Sequence, residues 1–477
     1  MALIHEGRAS TYRELRGRVE RLASGLRALG LERGDRVAYL GVNHPAFLET
    51  LFAAGVLGAV FVPVHARQPT EVARHIVRDA GATILVHGPE RAERASALAS
   101  EVRTVLAVGA ELEAAIERAP DARIDEPVGL DDLAILAYTS GTTGLPKGAM
   151  LSHGNLTWNV VNMLASLGLG ASDVSIAAAP LYRIGGLGVT LLETLYVGGT
   201  VVLASSSDAG EVLDLVETHG ATTLFGPPDI MRALAESDRW AAADLSTLRL
   251  CVTGGTLVPE PLLRAFFDRG LPLLQGYGLS EASPVVTMVA AEDMLAKVGS
   301  AGTPVLFTEV RVVRPDGSEA ETGEAGEILI RGPNVTRGYW NRPDATAEAF
   351  TEDGWFRTGD AGRLDEDGHL FVIDRVRDGF TVADRRVFPA DIEHVLLRHP
   401  AVADAAVTGI DDPRLGEAPA AFVVLRGVCS EEELLDLAAS LLEPDLVPRV
   451  VRIVDEIPRN PSGKVRRAEL REILGAG

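Results

Sequence analysis

Residues 138–148 read Tyr-Thr-Ser-Gly-Thr-Thr-Gly-Leu-Pro-Lys-Gly, directly after the apolar run 133–137. The hydroxyls of Thr139, Ser140, Thr142 and Thr143 are interleaved with Gly141 and Gly144. Helix and strand both disfavour that composition, so a loop held by a buried strand is expected. Glycine lets backbone approach a ligand closely. Hydroxyls and successive N–H groups can then surround phosphate oxygens, and Lys147 adds a point charge. No Gly-x-x-x-x-Gly-Lys-Ser/Thr loop occurs anywhere in the chain.

Three further clusters carry chemistry. At 275–281 the chain reads Gln-Gly-Tyr-Gly-Leu-Ser-Glu. An aromatic between two glycines offers a flat face to a purine, and a nearby Ser-Glu pair suits a phosphate and a hard cation. At 354–360 it reads Gly-Trp-Phe-Arg-Thr-Gly-Asp, and Asp374-Arg375 follows. A carboxylate in a tight turn can accept two ribose hydroxyls, and an arginine can pair with phosphate. Near the end, Pro-Arg-Asn-Pro-Ser-Gly-Lys at 458–464 places Lys464 after a turn; taken alone it reads as a solvated surface lysine.

The elements that must position these groups alternate. Residues 11–30 carry Leu15, Val19, Leu22, Leu26 and Leu29 at helical spacing. Strands are expected near 35–41, 60–64, 83–86, 175–179, 200–203, 222–225, 249–253 and 271–275, with helices or loops between them. That alternation predicts an α/β fold of parallel sheets covered by helices, with ligands at the carboxyl ends of strands. From about residue 303 short strands and turns dominate, predicting a small β subdomain. Charge density rises at 374–378, where a hinge would lead into a small mobile α+β lid. The expected domains are therefore 1–373 and 374–477.

The totals narrow the function. At 477 residues the chain needs more than one core. A net charge of −22 argues against nucleic-acid binding. Cys251 and Cys429 show neither disulfide nor metal-ligand spacing. The longest apolar stretch, 50–64, contains two glycines and a proline and is too short to span a bilayer. No signal peptide is evident, so the expectation is a cytoplasmic enzyme with no membrane span and no attached carrier domain.

Taken together, the four clusters resemble the ordered motifs of the adenylate-forming superfamily, closest to stand-alone acyl-CoA synthetases. The resemblance implies an ATP-binding set of Thr139, Ser140, Gly141, Thr142, Thr143, Gly144, Lys147, Gly255, Gln275, Gly276, Tyr277, Asp360 and Arg375. It implies Ser280 on the α-phosphate, Glu281 on Mg²⁺, and Lys464 as the lid lysine that stabilises charge at the reacting carboxylate. Gly278, Pro284 and Arg183 fall at the acyl pocket, and Arg377 at the hinge. The implied reaction joins a carboxylic acid to ATP, giving acyl-adenylate and pyrophosphate. CoA, a carrier-protein thiol or a partner enzyme would then take the adenylate. Pocket segments 159–166, 227–231, 254–257 and 282–288 are apolar or small, which favours a hydrophobic or bulky acid. Two departures stand out. Arg183 replaces the usual aromatic of the Pro-Leu-Phe-His motif, and Ala383-Asp384 stand where the family carries a glycine pair. The second predicts impaired thioester formation, because Cβ atoms would narrow the pantetheine passage. A complete two-step ligase is the alternative, and a non-catalytic nucleotide-binding homologue a more distant one.

Overall fold

A computed structural model of the protein describes residues 1–120, 124–139, 145–256, 258–383, 385–459 and 465–475. They form two compact units, one of residues 1–310 with 330–356, the other of 311–329 with 357–477.

The first unit contains two large sheets. In one, six strands run in the order Thr104–Ala107, Ala82–His87, Arg36–Leu40, Val60–Val64, Leu133–Thr139, Lys147–Ser152. All neighbours are parallel except the last pair, an antiparallel hairpin. The other sheet has nine strands, and its parallel centre runs from Leu273–Gly278 through Leu250–Gly254, Thr223–Phe225, Val174–Ala177 and Thr200–Leu203 to Leu3–His5. Both faces are covered by helices, which explains the unbroken apolar runs such as Val60–Val64, buried at every position. The predicted 11–30 helix is Tyr12–Ala28, opened by a capping box between Thr11 and Glu14. Cys251 and Cys429 are both free and buried. Among the described residues no helix is long and apolar enough to cross a membrane.

In the second unit, Phe356–Leu364 and Leu370–Arg375 pair antiparallel within a four-stranded sheet. A separate five-stranded sheet is built on the long hairpin Val402–Asp412/Gly416–Leu425 and carries the helices Pro389–Leu396, Glu431–Leu441 and Arg467–Gly475. The strands on either side of Ala383 form a hairpin. Phe380–Val382 and Arg385–Val387 pair antiparallel, with Val382 opposite Arg385, and Ala383 lies in the turn that follows Val382. Asp384 lies outside the described residues. Ala383 is exposed and sits at φ +48°, a left-handed conformation that such turns demand and that a Cβ disfavours. Ala383→Gly should therefore raise stability by about 1 kcal/mol, read as a higher midpoint in urea with an unchanged slope. No gain would mean that the turn relaxes freely.

Candidate functional site

The strands that flank the expected phosphate loop, Leu133–Thr139 and Lys147–Ser152, pair antiparallel, with Thr139 opposite Lys147. Ser140, Gly141, Thr142, Thr143 and Gly144 lie outside the described residues. The base of the loop is pinned. The Tyr138 hydroxyl donates to Asp79 Oδ2 at 2.7 Å, Arg342 pairs with Asp79 Oδ1 at 2.7 Å, and Trp340 Nε1 donates to the Asp79 carbonyl at 3.1 Å. Burial, reinforced by Asp79, pushes the Tyr138 phenol well above its ordinary range, so it stays a donor. Lys147 Nζ lies 5.4 Å above the Tyr339 ring, within cation–π range.

The second cluster sits at the carboxyl end of Leu273–Gly278. Gly276 pairs with Gly254, and a Cβ on Gly254 would fall 2.5 Å from the Gly276 carbonyl oxygen. Gly255 follows at φ +96°. On the other side, a Cβ on Gly278 would lie 2.0 Å from the Pro284 carbonyl oxygen. After Tyr277, neighbouring backbone leaves no room for a side chain at Gly278, whereas at Gly276 an added Cβ would first meet the Met288 side chain at 3.0 Å. Gln275 departs from the expected placement. Its side chain is buried beside Leu273 and Met294 in the packing layer, and its Oε1 has no hydrogen-bond partner among the described residues. Ser280 opens the short 3-10 helix Ser280–Ala282, which carries Glu281. Glu281 is only 8 % exposed, and its Oε1 accepts from the Tyr339 hydroxyl at 2.9 Å.

Tyr339 was not among the residues singled out from sequence. It is held by a strap at 333–340 that lies along Lys147–Ser152. Asn155, half of the capping box that starts the helix His153–Leu167, donates to the carbonyls of Pro333 and Val335 at 2.8 Å each. Met150 N donates to Gly338 O, Trp340 N to Gly148 O, and Thr336 N to Glu281 O. Lys147, Tyr339 and Glu281 therefore form one contiguous set. The visible signal was Gly338-Tyr339-Trp340, another glycine–aromatic step.

Arg183 precedes the short helix Ile184–Leu187, and its side chain is exposed. Burial, and then the charge of Arg183, pulls the His65 imidazole down to about 4; that ring stacks on Tyr182 at 4.2 Å. The turn after Arg183 meets the segment just after Glu281, since a Cβ on Gly188 would come within 2.8 Å of Pro284 Cδ. Gly278, Pro284 and Gly188 are brought together, whereas among the described residues no bond positions the Arg183 guanidinium on them.

In the second unit, Asp360 and Arg375 are cross-strand partners, joined at 2.8 Å. Asp360 is 7 % exposed, and Arg375 also donates to the Thr358 carbonyl at 3.1 Å. Arg377 lies in the 3-10 turn Val376–Asp378, 3.5 Å from Asp378. Lys464 lies outside the described residues.

A family model described as AMP-binding enzyme matches residues 1–340, and one described as AMP-binding enzyme C-terminal domain matches 391–464. The chain belongs to the AMP-binding enzyme family. It is an adenylate-forming acid–thiol ligase of the acyl-CoA synthetase type. Its sequence is 46 % identical to a feruloyl-CoA synthase from Amycolatopsis sp, over 99 % of this chain and 96 % of that protein. It is 38 % identical to an indoleacetate–CoA ligase from Aromatoleum aromaticum, over 97 % of this chain and 93 % of that one. Its fold matches an o-succinylbenzoate CoA synthetase from Bacillus subtilis, solved with an acyl-adenylate intermediate, at TM-score 0.89 and 32 % identity, covering 98 % and 95 % of the two chains. The same Bacillus enzyme has also been solved with ATP and magnesium ion.

For an AMP-binding enzyme, the observed cluster fits a metal-bound nucleotide. Among the described residues no group of three or more His, Cys, Asp or Glu could hold a metal. A single buried carboxylate suits a cation that takes its remaining ligands from phosphate and water. The Tyr339 hydroxyl donates to one oxygen of the Glu281 carboxylate. Tyr339→Phe removes that hydrogen bond but keeps the ring under Lys147. Pyrophosphate exchange should fall about tenfold, equivalent to roughly 1.4 kcal/mol of barrier. An unchanged rate would show that the Tyr339 hydroxyl is not needed to position Glu281.

Proposed function

We propose that this chain converts a bulky aromatic carboxylic acid to its acyl-CoA in two steps. The acid carboxylate attacks the α-phosphorus of ATP, forming acyl-adenylate and releasing pyrophosphate. The CoA thiol then attacks the acyl carbon, giving the thioester and releasing AMP. The observation that carries this reading is the Lys147–Tyr339–Glu281 set beside Tyr277, in a chain whose relatives activate aryl acids. Tyr277 would stack on adenine, Ser280 would meet the α-phosphate and Asp360 the ribose. Bound magnesium, held by Glu281, would screen phosphate charge. Lys464 would supply the cation at the reacting carboxylate, and 374–378, including Arg377, would serve as the hinge between domains 1–373 and 374–477.

Thioester formation by this chain is the preferred reading over an impaired second step. The relatives bear CoA-ligase names, and Ala383 occupies an exposed hairpin turn. The test combines pyrophosphate exchange against hydroxycinnamic, indole-acetic, benzoic and fatty acids with mass spectrometry of adenylate and thioester. Exchange with an aryl acid and matching thioester once CoA is added are expected. Adenylate without thioester would restore the impaired reading, with a carrier thiol or partner enzyme as acceptor. No exchange with any acid would end the proposal.

A further inference from the structure

Behind the turn that follows Arg183 lies an acid outside the motifs above. Glu193, on the helix Leu191–Tyr196, has no exposed surface. Its Oε1 accepts from Asn159 Nδ2 at 3.2 Å, and its Oε2 has no hydrogen-bond partner among the described residues. Asn159, itself 1 % exposed, makes two further bonds. Its Nδ2 donates to the Gly188 carbonyl at 2.7 Å, and its Oδ1 accepts from Val285 N at 3.2 Å. One amide thus ties the turn beside the expected acyl pocket to the start of Val285–Met288, the strand that follows Glu281 and Pro284. Both Asn159 amide hydrogens are committed, one to Gly188 and one to Glu193.

We propose that Glu193 is a positioning residue for acid activation: through Asn159 it sets the spacing between the Gly188 turn and Pro284, and it does so as a neutral acid. This rests on the acid-activating reading given above. The surroundings offer the ionised form little. The helix Ile184–Leu187 and the strands Val174–Ala177 and Thr200–Leu203 carry no ionisable side chain. The helix His153–Leu167 carries only His153, whose imidazole is pulled down by burial against an opposing pull from Asp132. On its own helix Tyr196 is exposed, and the Tyr12 hydroxyl donates to the Leu195 carbonyl at 3.0 Å. Asp173, just before Val174–Ala177, is satisfied by Arg249 at 2.7 Å. Burial therefore pushes the Glu193 carboxyl up to about 8, against smaller opposing pulls from its own N–H and from Asn159. Above that pH a buried charge faces only its own backbone N–H and the Asn159 amide. That charge draws Asn159 away from Gly188, and the turn loses its tie to Val285.

The folded-state value lies above the ordinary 4.5. The stability Glu193 contributes is therefore full below the ordinary value and is lost as pH rises through about 8. Two measurements test the assignment on full-length wild type, Glu193→Gln and Glu193→Ala. The first is Tm against pH: the excess of Glu193→Gln over wild type should grow between about pH 5 and pH 8 and then level off. The second is pyrophosphate exchange, which needs no CoA and so excludes thiol titration. Wild type should lose kcat/KM for the acid above about pH 8, and Glu193→Gln should lack that limb. Glu193→Ala should fall about tenfold at every pH, with KM for ATP unchanged. An alkaline limb shared by wild type and Glu193→Gln overturns the positioning role, even where the Tm curves differ. Failure of wild type to exchange with any acid falls on the proposed function. The thermal arm then decides alone, and identical Tm–pH curves for wild type and Glu193→Gln overturn the assignment.

Discussion

Glu281→Gln should lower pyrophosphate exchange by roughly a thousandfold, about 4 kcal/mol of barrier, while leaving Tm nearly unchanged. The size follows from what the residue would do. A buried carboxylate beside the nucleotide supplies full negative charge to a divalent cation, and an amide supplies only a dipole. The small thermal effect follows from the local bonds. The amide oxygen of the variant side chain would still accept from the Tyr339 hydroxyl, and the Thr336 N–H would still reach the backbone carbonyl at position 281. Two assays separate the outcomes. A magnesium titration should show the variant needing far more metal for half-maximal exchange, and thermal unfolding should overlay wild type. Activity within about threefold at wild-type magnesium would mean that the cation is held by phosphate and water alone.

The sheets were legible because each central strand is covered on both faces and so reads as an uninterrupted apolar run; Val60–Val64 is an example. The strand end that carries Tyr277 was legible because Gly278, where backbone leaves no room for a Cβ, marks it. Tyr339 was not, since its contact with Glu281 joins residues 58 positions apart and depends on a strap whose register only the fold sets. The same holds for Asp79, which reaches Tyr138 and Arg342 from a helix early in the chain. Asp360 and Arg375 were chosen for separate roles, and their pairing needed the hairpin turn at 365–368 to be counted in register. The hairpin Phe380–Val382/Arg385–Val387 was hidden for a different reason. Ala383 breaks the local rule by taking a left-handed conformation without being glycine, so the turn carried no glycine signal. Glu193 carried no sequence signal, because sequence alone leaves the burial of a lone carboxylate open.

Arg467→Met should destabilise the second unit by about 3–5 kcal/mol at neutral pH, and by much less in mild acid. Arg467 opens the helix Arg467–Gly475, and its side chain is only 14 % exposed. Its guanidinium lies 2.9 Å from Glu393, 3.2 Å from Asp374 and 3.6 Å from Asp378, and its Nε donates to the Val407 carbonyl at 3.0 Å. Burial already pushes Glu393 up to about 7 and raises Asp374, in both cases against the opposing pull of Arg467. Methionine keeps much of the volume but strands these carboxylates, so burial acts on them unopposed and both shift higher still. Their folded-state values then lie further above the ordinary ones. The stability they contribute is present below the ordinary carboxylate range and is lost as pH rises through the raised values. The deficit of Arg467→Met should therefore be large near about pH 7.5 and shrink near about pH 5.5, measured by urea unfolding at both. Equal deficits at the two pH values would show that lost packing, not stranded charge, carries the effect. The position of Arg467 also gives an activity readout. It follows Lys464 by three residues and grips Asp374 and Asp378, which flank the expected hinge at Arg377. Pyrophosphate exchange by Arg467→Met should recover in part at the lower pH, in step with stability. Exchange that stays lost in a folded variant would place Arg467 in the setting of the lid lysine.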